Sequence, residues 1–89
     1  MDNCEKFSEI LKVLGNPVRM KVLRHVSGMK CCVSDIEEKL DLPQSTVSQH
    51  LSVLKRMGIL KATRNHKEVS YELDNEFVKE LLELCCKYS

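Results

Sequence analysis

The residues equipped to do chemistry fall into two sets. The first lies between Gln44 and Lys67, where Lys55, Arg56, Lys61, Arg64 and Lys67 occur with no Asp or Glu among them. The remaining positions carry nine Lys/Arg against thirteen Asp/Glu, so a chain of net charge +1 gathers its positive charge in one segment. Such a segment attracts phosphate while the rest stays solvated and repels it. The second set is five cysteines: Cys4, the vicinal pair Cys31-Cys32 and the vicinal pair Cys85-Cys86. Thiolates are soft ligands that favour thiophilic ions, and two thiols that can approach each other suffice for redox or persulfide chemistry. An odd number with two adjacent pairs does not make a disulfide framework, because neighbours on a trans backbone cannot easily bridge. Plain burial is the competing reading, since free cysteine behaves as a small hydrophobe and Cys32 and Cys85 fall at apolar positions.

Short helices must hold these residues. Phe7, Ile10, Leu11 and Leu14 recur at i, i+3, i+4 and i+7, which predicts an amphipathic helix ended by Gly15. Asn16-Pro17 supplies an N-cap and a first-position proline for a second helix that buries Val18, Val22, Leu23 and Val26 and closes near Ser27-Gly28. Met29 to Val33 reads as extended. Ser34-Asp35-Ile36-Glu37 has the capping-box pattern, with Ser34 as cap, and opens a helix ending by Leu40 or Asp41. Leu42-Pro43 forces a turn. A further helix then starts at Pro43 or Gln44, carries the stripe Val47, Leu51, Leu54 and Met57, and stops at Gly58. Ile59–Arg64 and Glu68–Leu73 are strand-like, with Asn65-His66-Lys67 as the loop between them. Asp74 or Asn75 caps a last helix through Phe77, Val78, Leu81, Leu82 and Cys85 to about Tyr88. The expected fold is mainly α with a small β-hairpin, in the order helix, helix, strand, helix, helix, hairpin, helix. That order is a winged helix-turn-helix, expected as a single domain over residues 1–89.

Ser34–Asp41 and Pro43–Met57 form the helix-turn-helix pair. Away from its apolar stripe, the second helix presents Gln44, Ser45, Thr46, Ser48, Gln49 and Ser52, with Lys55 and Arg56 at its end. Hydroxyl and amide side chains suit base edges and phosphates, and Gln can bond adenine bidentately. A solvated face would favour Glu and Lys, which are better helix formers, so the Gln/Ser composition points to a contact surface. Arg64, His66 and Lys67 at the hairpin tip are placed to reach phosphates or a minor groove. His50, at the edge of the apolar stripe, reads as a packed or capping residue rather than a metal ligand.

These stretches carry a family resemblance. Leu14-Gly15-Asn16-Pro17-Val18-Arg19-Met20-Lys21-Val22-Leu23 resembles a signature of the ArsR/SmtB family of metal-responsive repressors, and Pro43 to Leu60 resembles that family's recognition helix and the start of its wing. The resemblance implies a homodimer through the first and last helices, which present two recognition helices to a pseudo-palindromic operator on double-stranded DNA. Phe7, Ile10, Phe77, Val78, Leu81, Leu82 and Cys85 are the expected interface residues, and Leu84 widens the apolar arc of the last helix. It also implies a repressor released from its operator by an inducer. One family inducer site is a Cys-Val-Cys-Asp-Leu run; the matching run here is Cys32-Val33-Ser34-Asp35-Ile36, with Ser34 in place of the second cysteine and Cys31 just before. A second family site, Asp and His ligands for zinc on the last helix, has no counterpart, because no His follows His66.

Cys4, Cys31, Cys32, Cys85 and Cys86 are therefore the candidate sensing residues. Arsenite or antimonite, As(III) or Sb(III), is the favoured inducer together with soft ions such as Cd(II) or Pb(II); persulfide or redox sensing is the alternative. A winged-helix protein-interaction module that does not bind DNA is the alternative of another class. An enzyme is not expected: there is no Gly-rich phosphate loop, nucleophile elbow or base beside a cysteine. No apolar run reaches the ~18–20 residues that span a bilayer, so no membrane partner is expected. Met1 to Glu5 lack the basic and apolar regions of a secretory signal, so the expected location is cytoplasmic.

Overall fold

A computed structural model describes residues 3–89; Met1 and Asp2, which begin the segment read for a secretory signal, lie outside it. Five helices and three strands follow in the order α1 Cys4–Leu14, α2 Pro17–Ser27, β1 Cys31–Cys32, α3 Val33–Leu40, α4 Gln44–Arg56, β2 Leu60–Asn65, β3 Glu68–Leu73 and α5 Glu76–Lys87. This is a winged helix-turn-helix. The strands make one antiparallel sheet ordered β1-β3-β2, in which Tyr71 pairs with Cys31 on one side and Ala62 on the other.

Local chemistry accounts for most boundaries. The Asn16 side chain accepts from the backbone N–H groups of Val18 and Arg19 at 2.9 and 3.3 Å, and Pro17 follows at the first helical position. Asn75 caps α5 in the same way, accepting from the Val78 N–H at 3.0 Å. Asp41 closes α3 in the left-handed region at φ 53°, which frees the chain to turn into α4. Gly58, at φ 76°, turns the chain from α4 into the wing. A Cβ there would meet nothing within 4 Å, so the glycine is needed for its backbone freedom rather than for space.

Three details differ from expectation. The cap of α3 is Cys32, not Ser34, and its reciprocal partner is Asp35: the Cys32 N–H donates to Asp35 Oδ2 at 3.4 Å. Serine is the better capping residue, but Cys32 is already held extended by pairing with Ser70, so the helix begins two residues earlier. The wing turn is tighter by one residue, because Asn65 pairs with Glu68 and leaves only His66-Lys67 between the strands, with His66 at φ 59°. Val18 is half-buried rather than buried.

The core gathers residues from every helix: Ile10 and Leu14, Val22, Leu23 and Val26, Ile36, Val47, Leu51 and Leu54, then Ile59, Leu60, Val78 and Leu82. Each buried aliphatic side chain contributes about 1.5–3 kcal/mol relative to exposure. Ile36, Val47, Leu51 and Leu54 are fully buried, which seats α4 on α3 and turns its polar face outward.

Candidate nucleic-acid interface

The outward face of α4 is built as its sequence suggests. Gln44, Ser45, Gln49, Ser52, Lys55 and Arg56 are exposed, and Thr46 and Ser48 are half-buried. The first turn contains no acidic residue and the last contains Lys55 and Arg56. At the N-terminus the amides of Thr46 and Val47 both donate to the Pro43 carbonyl at 3.1 Å. The N–H groups of Gln44 and Ser45 precede the helical ladder and point along the helix axis, a disposition suited to a phosphate oxygen. Arg64, His66 and Lys67 are all exposed on the wing tip.

One charge in the basic segment is partly engaged. Lys61 Nζ lies 3.5 Å from Glu72 Oε1 across β2 and β3, so the excess available to a phosphate rests on Lys55, Arg56, Arg64 and Lys67. An exposed pair of this kind contributes little to stability, about 0–1 kcal/mol.

His50 has a partner that no local pattern announces. Its Nδ1 accepts a hydrogen bond from Arg19 Nε at 3.2 Å, and Arg19 Nη1 donates to the Val13 carbonyl at 3.2 Å. Burial, then the neighbouring guanidinium, holds the His50 pKa below its ordinary value.

The cysteines divide by exposure. Cys31 is 2% exposed and its thiol points at the Met29 carbonyl at 3.4 Å. Burial, then the charges of Asp35 and Cys32, pushes its pKa up, so the neutral thiol is favoured. Cys32 is half-buried, donates to Asp35 Oδ2 at 3.1 Å and lies 3.2 Å from Ser34 Oγ. The same contacts, the Cys32 thiol first and then its N–H, hold the Asp35 pKa below its usual value. Neighbours in a strand face opposite ways, so Cys31 and Cys32 do not form a chelating pair. Cys4, Cys85 and Cys86 are exposed and Cys32 is half-buried, so the competing reading of Cys32 and Cys85 as core does not hold; the buried cysteine is Cys31. Among the described residues no group of three or more His, Cys, Asp or Glu is close enough to hold a metal ion, so the five candidate sensing residues are not gathered into one site within a chain.

The expected interface residues also separate. Ile10, Val78 and Leu82 are 3%, 0% and 4% exposed and belong to the core of their own chain, not to an outer face. Phe7 and Phe77 stack on one another at 4.8 Å between centroids, joining α1 to α5 within the chain, and keep only part of their surface free. Along α1 and α5 the large apolar side chains left outside are Leu11, Leu84 and, at the end of α5, Tyr88, at 49%, 51% and 79% exposure, with Leu81 half-buried; Met29, after α2, is also exposed. Leu11 and Tyr88 are the residues that helical periodicity alone did not mark as outward.

A winged helix-turn-helix with an acid-free reading helix defines the class: a DNA-binding regulator. The chain belongs to the arsR family of bacterial regulatory proteins, whose model matches residues 16–62. It is 36% identical over 85 residues to an uncharacterized HTH-type transcriptional regulator, MJ1325, of Methanocaldococcus jannaschii, covering 94% of this chain and 96% of that one. It is 37% identical over 81 residues to the transcriptional repressor PagR of Bacillus anthracis, covering 90% of this chain and 81% of that one. The structure of HlyU from Vibrio cholerae, a protein described as a transcriptional activator, superimposes with a TM-score of 0.93 at 30% identity, covering 98% of this chain and 95% of that one. The chain is thus a transcriptional regulator of the ArsR/SmtB type, a binding protein by family. No helix among its described residues is long and apolar enough to cross a membrane.

Proposed function

We propose that the chain is a homodimeric repressor that reads a pseudo-palindromic operator and releases it when thiol-reactive species engage its cysteines. The observation that carries the DNA-reading half is the outer face of α4: exposed Gln, Ser and basic side chains without a carboxylate, on a helix seated by four fully buried residues. Gln44, Ser45, Thr46, Ser48, Gln49 and Ser52 contact base edges and nearby phosphates; Lys55, Arg56, Arg64, His66 and Lys67 hold the backbone. The two-fold axis runs beside Leu11, Leu84 and Tyr88, with half-buried Leu81 between, where apolar surface on α1 and α5 is left exposed among the described residues. PagR, named a repressor, supports the direction of regulation.

The inducer half rests on Cys4, Cys85 and Cys86, exposed on the same two helices, with Cys32 at the start of α3. Arsenite or antimonite needs three thiolates, and with no such group among one chain's described residues it would require a site shared between subunits. Cd(II) or Pb(II) has the same requirement. Persulfide or redox chemistry needs only two thiols, and the lack of a three-ligand cluster within the described residues favours it as the second reading.

Selection from a random duplex pool, followed by anisotropy titration across salt, tests the DNA half. The expected result is an enriched inverted repeat and an affinity falling steeply and log-linearly with salt. Arsenite, cadmium or polysulfide added to the complex should each be compared by release and by native mass. A protein that enriches no sequence, or is monomeric where it binds, overturns the reading. Release by none of the three confines it to DNA binding without thiol control.

A further inference from the structure

Arg19 belongs to the first turn of α2, yet its guanidinium leaves that helix in two directions. Nη1 reaches the Val13 carbonyl in the last turn of α1, and Nε reaches His50 Nδ1 in the middle of α4, both at 3.2 Å. One planar, rigid group therefore joins three helices. A guanidinium cannot turn to follow one partner without disturbing the other. We propose that the Arg19–His50 hydrogen bond is a strut that fixes the setting of the recognition helix against α1 and α2, making both side chains positioning residues for operator binding. The proposal rests on the DNA-reading assignment above.

His50 follows Gln49 and lies about 100° further round α4. Its ring points back toward α2 while Gln49 and Ser52 point outward, so a ring that shifts rotates the reading face with it. Packing of Val47, Leu51 and Leu54 holds α4 down, and its attraction is non-directional. A hydrogen bond with a defined acceptor supplies the missing direction. Because α1 also carries part of the uncovered apolar face, the strut links the proposed dimer contact to the reading helix.

The bond needs a neutral ring with its proton on Nε2, leaving Nδ1 as acceptor. Protonation turns Nδ1 into a donor facing a guanidinium, and the attraction becomes repulsion. Arg19 is the charged group whose field acts on the ring, and no carboxylate among the described residues offsets it. The lowered His50 pKa agrees: the ring is neutral at neutral pH, the bond is intact above the ordinary histidine value, and it is lost as pH falls below that value through the folded one.

The test uses the full chain, with His66 present in the parent and in both variants so that the comparison isolates His50. A duplex enriched by this parent is titrated with His50→Leu, which fills the space without an acceptor, and with His50→Asn, whose amide oxygen takes the place of Nδ1 and does not titrate. At about pH 7.5, His50→Leu should bind roughly tenfold or more weakly, and His50→Asn within about threefold of the parent. From about pH 7.5 to about pH 5.5 the parent should lose affinity that His50→Asn keeps. Thermal midpoints accompany each titration, and if His50→Leu does not fold, the pH comparison of parent with His50→Asn decides alone. Equal binding by a folded His50→Leu, failure of His50→Asn to restore binding, or identical pH profiles of parent and His50→Asn each overturns the strut. A parent that enriches no duplex at all sinks the DNA assignment and the strut with it, whereas enrichment with any of those three outcomes sinks the strut alone.

Discussion

The outer face of α4 and the outer faces of α1 and α5 are both surfaces that a solvated helix would build differently, and they differ in opposite senses. On α4 the departure is polar: Gln44, Ser45, Gln49 and Ser52 are exposed where Glu and Lys would better support a helix. On α1 and α5 the departure is apolar: Leu11, Leu84 and Tyr88 are half exposed or more. These two helices carry Glu5, Glu9, Glu76, Glu80 and Glu83 against Lys6, Lys12, Lys79 and Lys87, all exposed, so their charge nearly balances. One surface is suited to a polyanion, and the other, near neutral, is suited to an apolar partner. The difference teaches that one chain can fit two faces to partners of different chemistry, one by polar composition and the other by exposed apolar surface.

The comparison breaks most severely if the apolar face is spoiled. Leu11→Glu with Leu84→Glu should leave a folded monomer, because both side chains lie outside the core. Sedimentation should show half the parent mass, and affinity for an inverted-repeat duplex should fall on the order of a hundredfold or more through lost bivalency. A variant that stays dimeric moves the two-fold axis elsewhere. A single carboxylate on the opposite face sharpens the contrast: Gln49→Glu should weaken operator binding by roughly tenfold or more. The same change should alter unfolding free energy by less than about 0.5 kcal/mol, since the side chain is exposed. Unchanged binding would remove Gln49 from the reading face.

The smallest effect is at the junction of the two halves, where Asp35 accepts from Cys32 at the start of α3. The Cys32 thiol, then its N–H, holds the folded Asp35 pKa below the ordinary carboxylate value, so the carboxylate stabilises the fold above that value, and the contribution is lost as pH falls through the lower folded one. Asp35→Asn should therefore be slightly less stable than the parent at neutral pH, and the two should converge in acid. Chemical denaturation across pH measures the gap, and a gap that persists in acid contradicts the assignment.

What the residues announced, and what they withheld, follows the range of the forces involved. Asn16-Pro17, Gly58 and the stripe of Val47, Leu51 and Leu54 act locally, so the helices and their order were legible. The cap of α3 was not, because its position is decided by Cys31 and Cys32 pairing with Tyr71 and Ser70, far along the chain. The same non-local pairing makes the sheet three-stranded rather than a bare hairpin. Periodicity showed that α5 has a wide apolar arc, but it cannot say which part turns inward; Val78 and Leu82 went to the core and Leu84 stayed outside. His50 looked like a packed residue, and its partner Arg19, 31 positions earlier, could be found only in three dimensions. The polar face of α4 was legible because composition alone sets it apart.

The alternation of Cys31 and Cys32 across β1 has an experimental consequence. An alkylating reagent meets Cys32 on the intact fold, but it reaches the sulfur of Cys31 only when the strand lifts from Tyr71. The ratio of the two labelling rates is thus a clock for fraying at the sheet edge that leads into α3. Run with and without duplex, that clock reports whether added DNA changes motion at this sheet edge.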